Sequence, residues 1–143
     1  MSDKLDVVGI GNAMVDAIIP SNQSEIEKHE INRDSMNLID ENLKNNLHES
    51  YSIREMAGGG SLGNSMFGIT SFGGNGSFIG KIKNDEIGVY LQKDMIREGL
   101  KFPLGFTSPD ISTGCCTIFV EEDGTRTMCT FLGAGTLIGP EDI

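Results

Sequence analysis

The chain has 143 residues, of which 21 are acidic against 11 Lys and Arg, so its formal net charge is −10; hydrophobic residues make up 38% and there is no Trp. That length suits one compact domain of roughly 100–150 residues, and the apolar fraction is enough to build a core, which excludes wholesale disorder. No run nears the roughly 18 apolar residues that span a bilayer, and the opening MSDKLDVVGIG lacks the basic and apolar pattern of a secretory signal. So acidic a surface repels phosphate backbones, so neither nucleic acid nor membrane is expected as a partner.

The predicted elements begin with Leu5–Ile10, a short apolar run suited to a buried strand, followed after Gly11 and Asn12 by Met14–Ile19, again strand-like and stopped by Pro20. Ser24 with Glu27 reads as a capping box for a short helix to about His29. Ser35–Ile39 is predicted as a strand, Asp40 as the cap of a polar helix to about His48, and Ile53–Ala57 as a strand entering a glycine cluster. Ser61–Phe72 reads as a helix with Leu62, Met66 and Ile69 on one face, closed by Gly73-Gly74.

Ser77–Ile82 is the next predicted strand. Asp85 caps a helix whose apolar positions Ile87, Leu91 and Met95 recur every four residues, and Gly99 ends it. Thr117–Glu122 and Thr125–Leu132 flank Asp123-Gly124, a hairpin signal in which both turn positions are expected at positive φ. Gly139-Pro140-Glu141-Asp142 has the form of a helix start, which suggests a chain that has been cut. Strands alternating with helices around glycine-rich turns imply an α/β architecture with a small additional sheet.

Cys115 and Cys116 are adjacent, so in a strand they face opposite ways, and neither they nor Cys129 form a Cys-x-x-Cys pair or a Cys/His cluster. They read as small half-buried side chains in a reducing, cytoplasmic compartment.

Two glycine-rich segments invite a nucleotide reading and fail it. Gly9-Ile10-Gly11-Asn12-Ala13-Met14 has Met where a dinucleotide fingerprint needs its third glycine, and strand where it needs helix. Gly58-Gly59-Gly60-Ser61-Leu62-Gly63-Asn64-Ser65 has P-loop spacing with Asn64 in place of the lysine. Glycines at a helix start nevertheless let a ligand approach the backbone, where free N–H groups, Ser61 and Asn64 can grip hydroxyl oxygens.

Taken in order, Gly11-Asn12-x-x-x-Asp16, Gly59-Gly60-Ser61-x-x-Asn64, Gly80-x-x-x-x-Asp85-x-x-Gly88, Thr113-Gly114 and Asp123-Gly124-Thr125-Arg126-Thr127-Met128 resemble the ribokinase-like (PfkB) family of carbohydrate and nucleoside kinases. The resemblance runs from about Val7 to Asp142 and is closest to bacterial adenosine-kinase-like members. It implies a Rossmann-like αβα core with a small β-sheet lid, residues 1–143 being the N-terminal part of one such domain and about 14–20, 34–40 and 113–133 its lid segments.

The activity it implies is transfer of the ATP γ-phosphoryl to a primary hydroxyl of a sugar or nucleoside. By that resemblance Asn12, Asp16, Met36, Leu38, Gly59, Gly60, Ser61 and Asn64 bind the acceptor, Asp16 taking two vicinal hydroxyls at once, and Arg126 reaches toward the transferring phosphate. The family's base, its Mg²⁺ segment and its ATP pocket belong to a C-terminal half that this sequence does not contain. Gly133-Ala134-Gly135-Thr136 echoes the catalytic loop with Thr136 in place of the base, and is set aside. ATP and Mg²⁺ are therefore expected for a full-length enzyme and not for these residues alone, which are expected to be catalytically silent. A fructokinase-like acceptor is the alternative within the family. A non-catalytic binding module, dimerising through the open edge of the lid sheet, is the alternative outside it.

Overall fold

A computed structural model describes residues 4–143. Met1-Ser2-Asp3, which open the N-terminus read above as non-secretory, lie outside the described residues.

Strand β1 (Val7–Ile10) leads through Gly11–Ala13 into β2 (Met14–Pro20), and a short helix α1 (Gln23–Glu27) follows. Then come β3 (Met36–Leu38), α2 (Glu41–Ser50), β4 (Glu55–Gly59) and α3 (Ser61–Ser71). The second half runs β5 (Gly76–Ile79), β6 (Ile82–Lys83), α4 (Glu86–Arg97), β7 (Phe106–Ser108), β8 (Gly114–Val120) and β9 (Arg126–Phe131). Two 3₁₀ turns, Gly133–Leu137 and Pro140–Asp142, complete it.

These elements make a mixed α/β structure in two parts. In the first, β1 and β5 pair in parallel and pack against α3 and α4. The second is a five-stranded mixed sheet ordered β3-β9-β8-β2-β4. The three segments expected to form a lid all contribute strands to this sheet, and β4 joins them. Alternation along the strands then decides what each face carries. Ala13, Val15 and Ala17 turn to the rear of the sheet and are fully buried, whereas Met14 and Asp16 turn to the front.

Behind β2 a core of Ala13, Val15, Met66, Phe78, Ile82, Leu91 and Met95 joins the two parts. A second core, Ile19, Ile26, Leu47, Phe119 and Cys129, seats α1 and α2 on the rear of the sheet. Burying each of these large side chains contributes roughly 1.5–3 kcal/mol. The edge strand β4 is sealed from the side by α4: Asp94 accepts from the Gly58 N–H at 2.9 Å, and the Tyr90 hydroxyl donates to the Met56 carbonyl. Those are the outward-facing groups of an edge strand, which would otherwise be unpaired.

Several boundaries differ from the sequence reading, each for a local reason. The capping box is Asn22 with Glu25, not Ser24 with Glu27, because the Asn22 carboxamide accepts from the Glu25 N–H while the Glu25 carboxylate accepts from the Asn22 N–H. The hairpin turn has positive φ only at Gly124 (87°); Glu121 accepts from the Gly124 N–H, so one residue in the left-handed region closes it and Asp123 keeps an ordinary φ. The strand predicted through Ile82 breaks after Ile79, and Ile82 pairs instead with Phe106 in a strand too short to announce itself. At the C-terminal end the helix start is a single 3₁₀ turn, with the Asp142 carboxylate accepting from the Gly139 N–H.

Candidate functional site

The front of the five-stranded sheet and the N-terminus of α3 enclose a cavity of about 590 Å³. Asn12 enters it from the turn after β1, Asp16 from β2, Met36 and Leu38 from the edge strand β3, and Gly60, Ser61 and Asn64 from the start of α3. The cavity thus brings together seven of the eight positions expected to bind an acceptor.

Gly59, the eighth, lies on the same face as Asp16 but is not among the lining residues. A Cβ there would lie 2.3 Å from the Asp16 carboxylate, so its missing side chain is the room that Asp16 occupies. Arg126 does not line the cavity either: it pairs with Val120 beside the hairpin turn, exposed, although on the same face of β9 as the lining residues Met128 and Thr130.

The polar residues of the cavity are left open for a guest. The side chains of Asn12, Asp16, Ser61 and Asn64 make no hydrogen bond or ion pair with another of the described residues, although the Ser65 hydroxyl donates to the Ser61 carbonyl. Asp16 is partly buried, and desolvation raises its pKa above the ordinary carboxylate value. Gly60 has φ 80° and caps α3 without a side chain, leaving the first N–H groups of that helix facing the same space. Asn12, Ser61 and Asn64 are exposed and water can serve them, whereas burial of the half-buried Asp16 carboxylate without a partner is costly. A ligand presenting several hydroxyl groups would satisfy this set: two vicinal donors to Asp16, and acceptors for Asn64, Asn12 and the α3 N–H groups.

The opposite wall is apolar. Met36, Leu38, Ile118, Met128 and Leu132 line it, with Cys116 and Thr130 between the two regions, while Met14 sits beside Gly60. Met36 and Leu38 are 55% and 66% exposed, an unusual state for such side chains and one that a flat apolar guest would relieve. Met14, Leu62, Cys116, Ile118, Met128, Thr130 and Leu132 were not expected at the site from the sequence. The signal was present as period-two alternation, since Cys116 and Ile118, like Met128, Thr130 and Leu132, are every second residue of adjoining strands. Which face they served depended on pairing between β2 and β8, remote in sequence.

The three thiols are free and buried. Cys116 turns to the cavity and receives a hydrogen bond from Thr130, whereas Cys115 turns to the rear, beside His48. Burial pushes the Cys115 thiol up to about 12, and burial likewise brings Cys129 to about 12.

The donor set for a nucleotide and a metal is a different matter. Among the described residues no group of three His, Cys, Asp or Glu could hold a metal ion. Gly133–Leu137 is a 3₁₀ turn whose Thr136 hydroxyl donates to the Gly133 carbonyl. The donor set therefore does not fit Mg²⁺, since it offers no cluster of carboxylates among the described residues.

This α/β chain places an open carboxylate and a glycine-led helix start around one cavity. Residues 4–142 match the model of the pfkB family of carbohydrate kinases, and the chain belongs to that family. It is similar to the adenosine kinase of Sinorhizobium meliloti, at 37% identity over 98% of this chain and 43% of that one, with a TM-score of 0.87. It is also similar to a probable sugar kinase of Rhizobium etli, at 34% identity over 97% of this chain and 42% of that one, TM-score 0.86. An adenosine kinase of Schistosoma mansoni solved with adenosine shares the fold at 21% identity and a TM-score of 0.80, over 95% of this chain and 40% of that one. A search of curated proteins found no match. The chain thus spans less than half the length of these solved relatives.

Proposed function

We propose that this chain supplies the acceptor-binding part and the lid of an ATP-dependent kinase that phosphorylates a primary hydroxyl of a nucleoside, the ribose lying against Asp16, Asn64 and Ser61 and the base against the Met36–Leu38 wall. The observation that carries this reading is the Asp16 carboxylate, partly buried, without a partner among the described residues, and sharing the cavity with an apolar wall. An ionised carboxylate takes two hydroxyl donors at once, as a ribose 2′,3′ pair presents them. The bacterial relative described as an adenosine kinase supports the nucleoside.

The relative described as a probable sugar kinase keeps a fructokinase-like acceptor as the second reading. Fructose would meet the polar side equally well and leave the apolar side wet. ATP and Mg²⁺ enter this proposal as the cofactors that the family's full-length enzymes use. The five-stranded sheet is, in the same reading, the lid, and the compartment is the cytoplasm, where three free thiols persist.

Titration calorimetry of the chain with adenosine and with fructose tests the acceptor. Adenosine is expected to bind more tightly, and equal or reversed affinities would overturn the nucleoside assignment. A coupled ADP-release assay on the chain alone, with ATP, Mg²⁺ and adenosine, is expected to read no turnover above a denatured blank.

A further inference from the structure

The Gly80-x-x-x-x-Asp85-x-x-Gly88 pattern lies outside the cavity, and its side chains meet where the two parts of the fold join. Three connections cross there, close in space: Gly11–Ala13 into β2, Ser112–Gly114 into β8, and Leu132-Gly133 out of β9. Each is packed backbone against backbone. A Cβ on Gly114 would lie 2.6 Å from the Leu132 carbonyl oxygen, one on Gly133 (φ 56°) 2.4 Å from that of Ser112, and one on Gly80 2.8 Å from that of Gly11. The Ala134 N–H donates to the Ser112 carbonyl across the same junction.

Into it reaches one carboxylate from the first part of the fold. Asp85 caps α4 through the Gly88 N–H at 2.8 Å, and also accepts the Thr113 N–H at 2.9 Å and the Thr113 hydroxyl at 2.7 Å. Thr113 is fully buried, and its hydroxyl in turn accepts the Lys83 N–H at 3.0 Å. Gly88 must be glycine for this to close, since a Cβ there would stand 2.0 Å from the Lys83 carbonyl oxygen and 2.7 Å from the Thr113 hydroxyl.

We propose that Asp85 and Thr113 are positioning residues, a clamp that holds the entry of β8 against the start of α4 and so keeps Asp16, on the five-stranded sheet, in register with Ser61 and Asn64 on the α3–α4 part. Asp16 rides on β2, which pairs along its whole length with β8, and Thr113 is the residue that enters β8. Ser61 and Asn64 ride on α3, which shares a core with α4. The clamp therefore connects the carriers of the two halves of the cavity. Its effect on guest binding rests on the acceptor-site reading above; its effect on the junction does not.

The test compares Thr113→Val, which keeps the shape and removes the hydroxyl, with Thr113→Ser, which keeps the hydroxyl. Amide hydrogen exchange at Ala134 and Gly114 is read against Phe78 and Leu91 in the core, and adenosine affinity is measured by calorimetry. Thr113→Val is expected to speed exchange at Ala134 and Gly114 roughly tenfold with the core amides unchanged, and to weaken adenosine roughly tenfold, the scale of losing a hydrogen bond to a charged group. Thr113→Ser is expected to restore both. Should Thr113→Val fail to fold, Asp85→Asn carries the same comparison, since Asn caps a helix as well as Asp does while giving up one acceptor.

Junction amides that exchange at the wild-type rate in the Val variant would overturn the clamp, as would a Ser variant as impaired as the Val one. Loosened junction amides with undiminished adenosine affinity would overturn its role in positioning. A wild-type chain that binds no adenosine sinks the nucleoside reading instead, and the exchange rates then decide the clamp by themselves.

Discussion

A methyl group on Gly59 would stand 2.3 Å from the Asp16 carboxylate, so the glycine of one strand is the space occupied by the acid of its neighbour. The two lie on the same face of the antiparallel β2–β4 pair, where Gly59 is opposite Met14 and diagonal to Asp16. Gly59→Ala is therefore expected to push the carboxylate out of its position, weakening adenosine binding and costing about 1–3 kcal/mol of stability, the usual penalty for overpacking. Calorimetry and urea denaturation read the two effects. An Ala variant that binds like wild type would show that Asp16 does not need that place.

Asp16→Asn separates function from stability. The carboxylate is partly buried with no partner among the described residues, so it destabilises the empty protein and is worth keeping only for a guest. The variant is expected to lose adenosine affinity by roughly 10- to 100-fold, the value of hydrogen bonds to a charged group, while its thermal midpoint at neutral pH stays level or rises. A fall in the midpoint would assign Asp16 a structural role.

The raised pKa of Asp16 also gives binding a pH dependence. Its folded value lies above the ordinary one, so the charge costs stability once pH passes from the ordinary carboxylate range through the folded pKa, and the cost disappears below it. Hydroxyl donors need the ionised form. Affinity is accordingly expected to fall as pH is lowered through the folded pKa, with a proton released on binding near it. Calorimetry in buffers of different ionisation enthalpy measures that proton, and a pH-independent affinity would count against Asp16 as the acceptor of the hydroxyls.

His48 faces the rear of the sheet, its Nε2 2.9 Å from the Thr117 hydroxyl, with Cys115 on the same strand and Lys44 one turn away on α2. Desolvation first, and the Lys44 charge second, hold its pKa below the usual 6.5. The folded protein thus resists a proton that the unfolded chain accepts, so stability is full above about pH 6.5 and declines as pH falls toward the depressed folded value. His48→Gln is expected to flatten that decline. Denaturant midpoints for both proteins between neutral and mildly acidic pH check it.

With Cys115 and Cys129 near 12 and Cys116 also raised by burial, the thiols carry almost no thiolate at neutral pH. A thiol reagent is expected to react with none of them until the chain is unfolded. Early reaction at Cys116, slowed by adenosine, would instead mark the cavity as open to reagents of that size.

Local chemistry was readable where one residue decides the outcome. Asp85 before Ile87, Leu91 and Met95 sets out α4, and its carboxylate does accept from the Gly88 N–H. Asp40 likewise caps α2 by accepting from the Leu43 N–H. What sequence reading missed depended on partners far along the chain. Three-residue β7 exists only because Ile82 and Lys83 lie beside it. Cys116 and Thr130 became cavity residues only when β8 settled between β2 and β9. The hairpin shows the middle case: its place followed from Asp123-Gly124, but the geometry of the turn was set by the Glu121 carbonyl, which no dipeptide rule includes.

The seal that Tyr90 and Asp94 place on β4 has a bearing on stoichiometry. A sheet with two bare margins can add strands without end, as fibres do, whereas here α4 occupies the β4 margin and, among the described residues, β3 is the margin of this sheet left uncovered. Strand addition to this sheet would therefore run β3 to β3 about a two-fold axis and stop at a pair, a closed dimer.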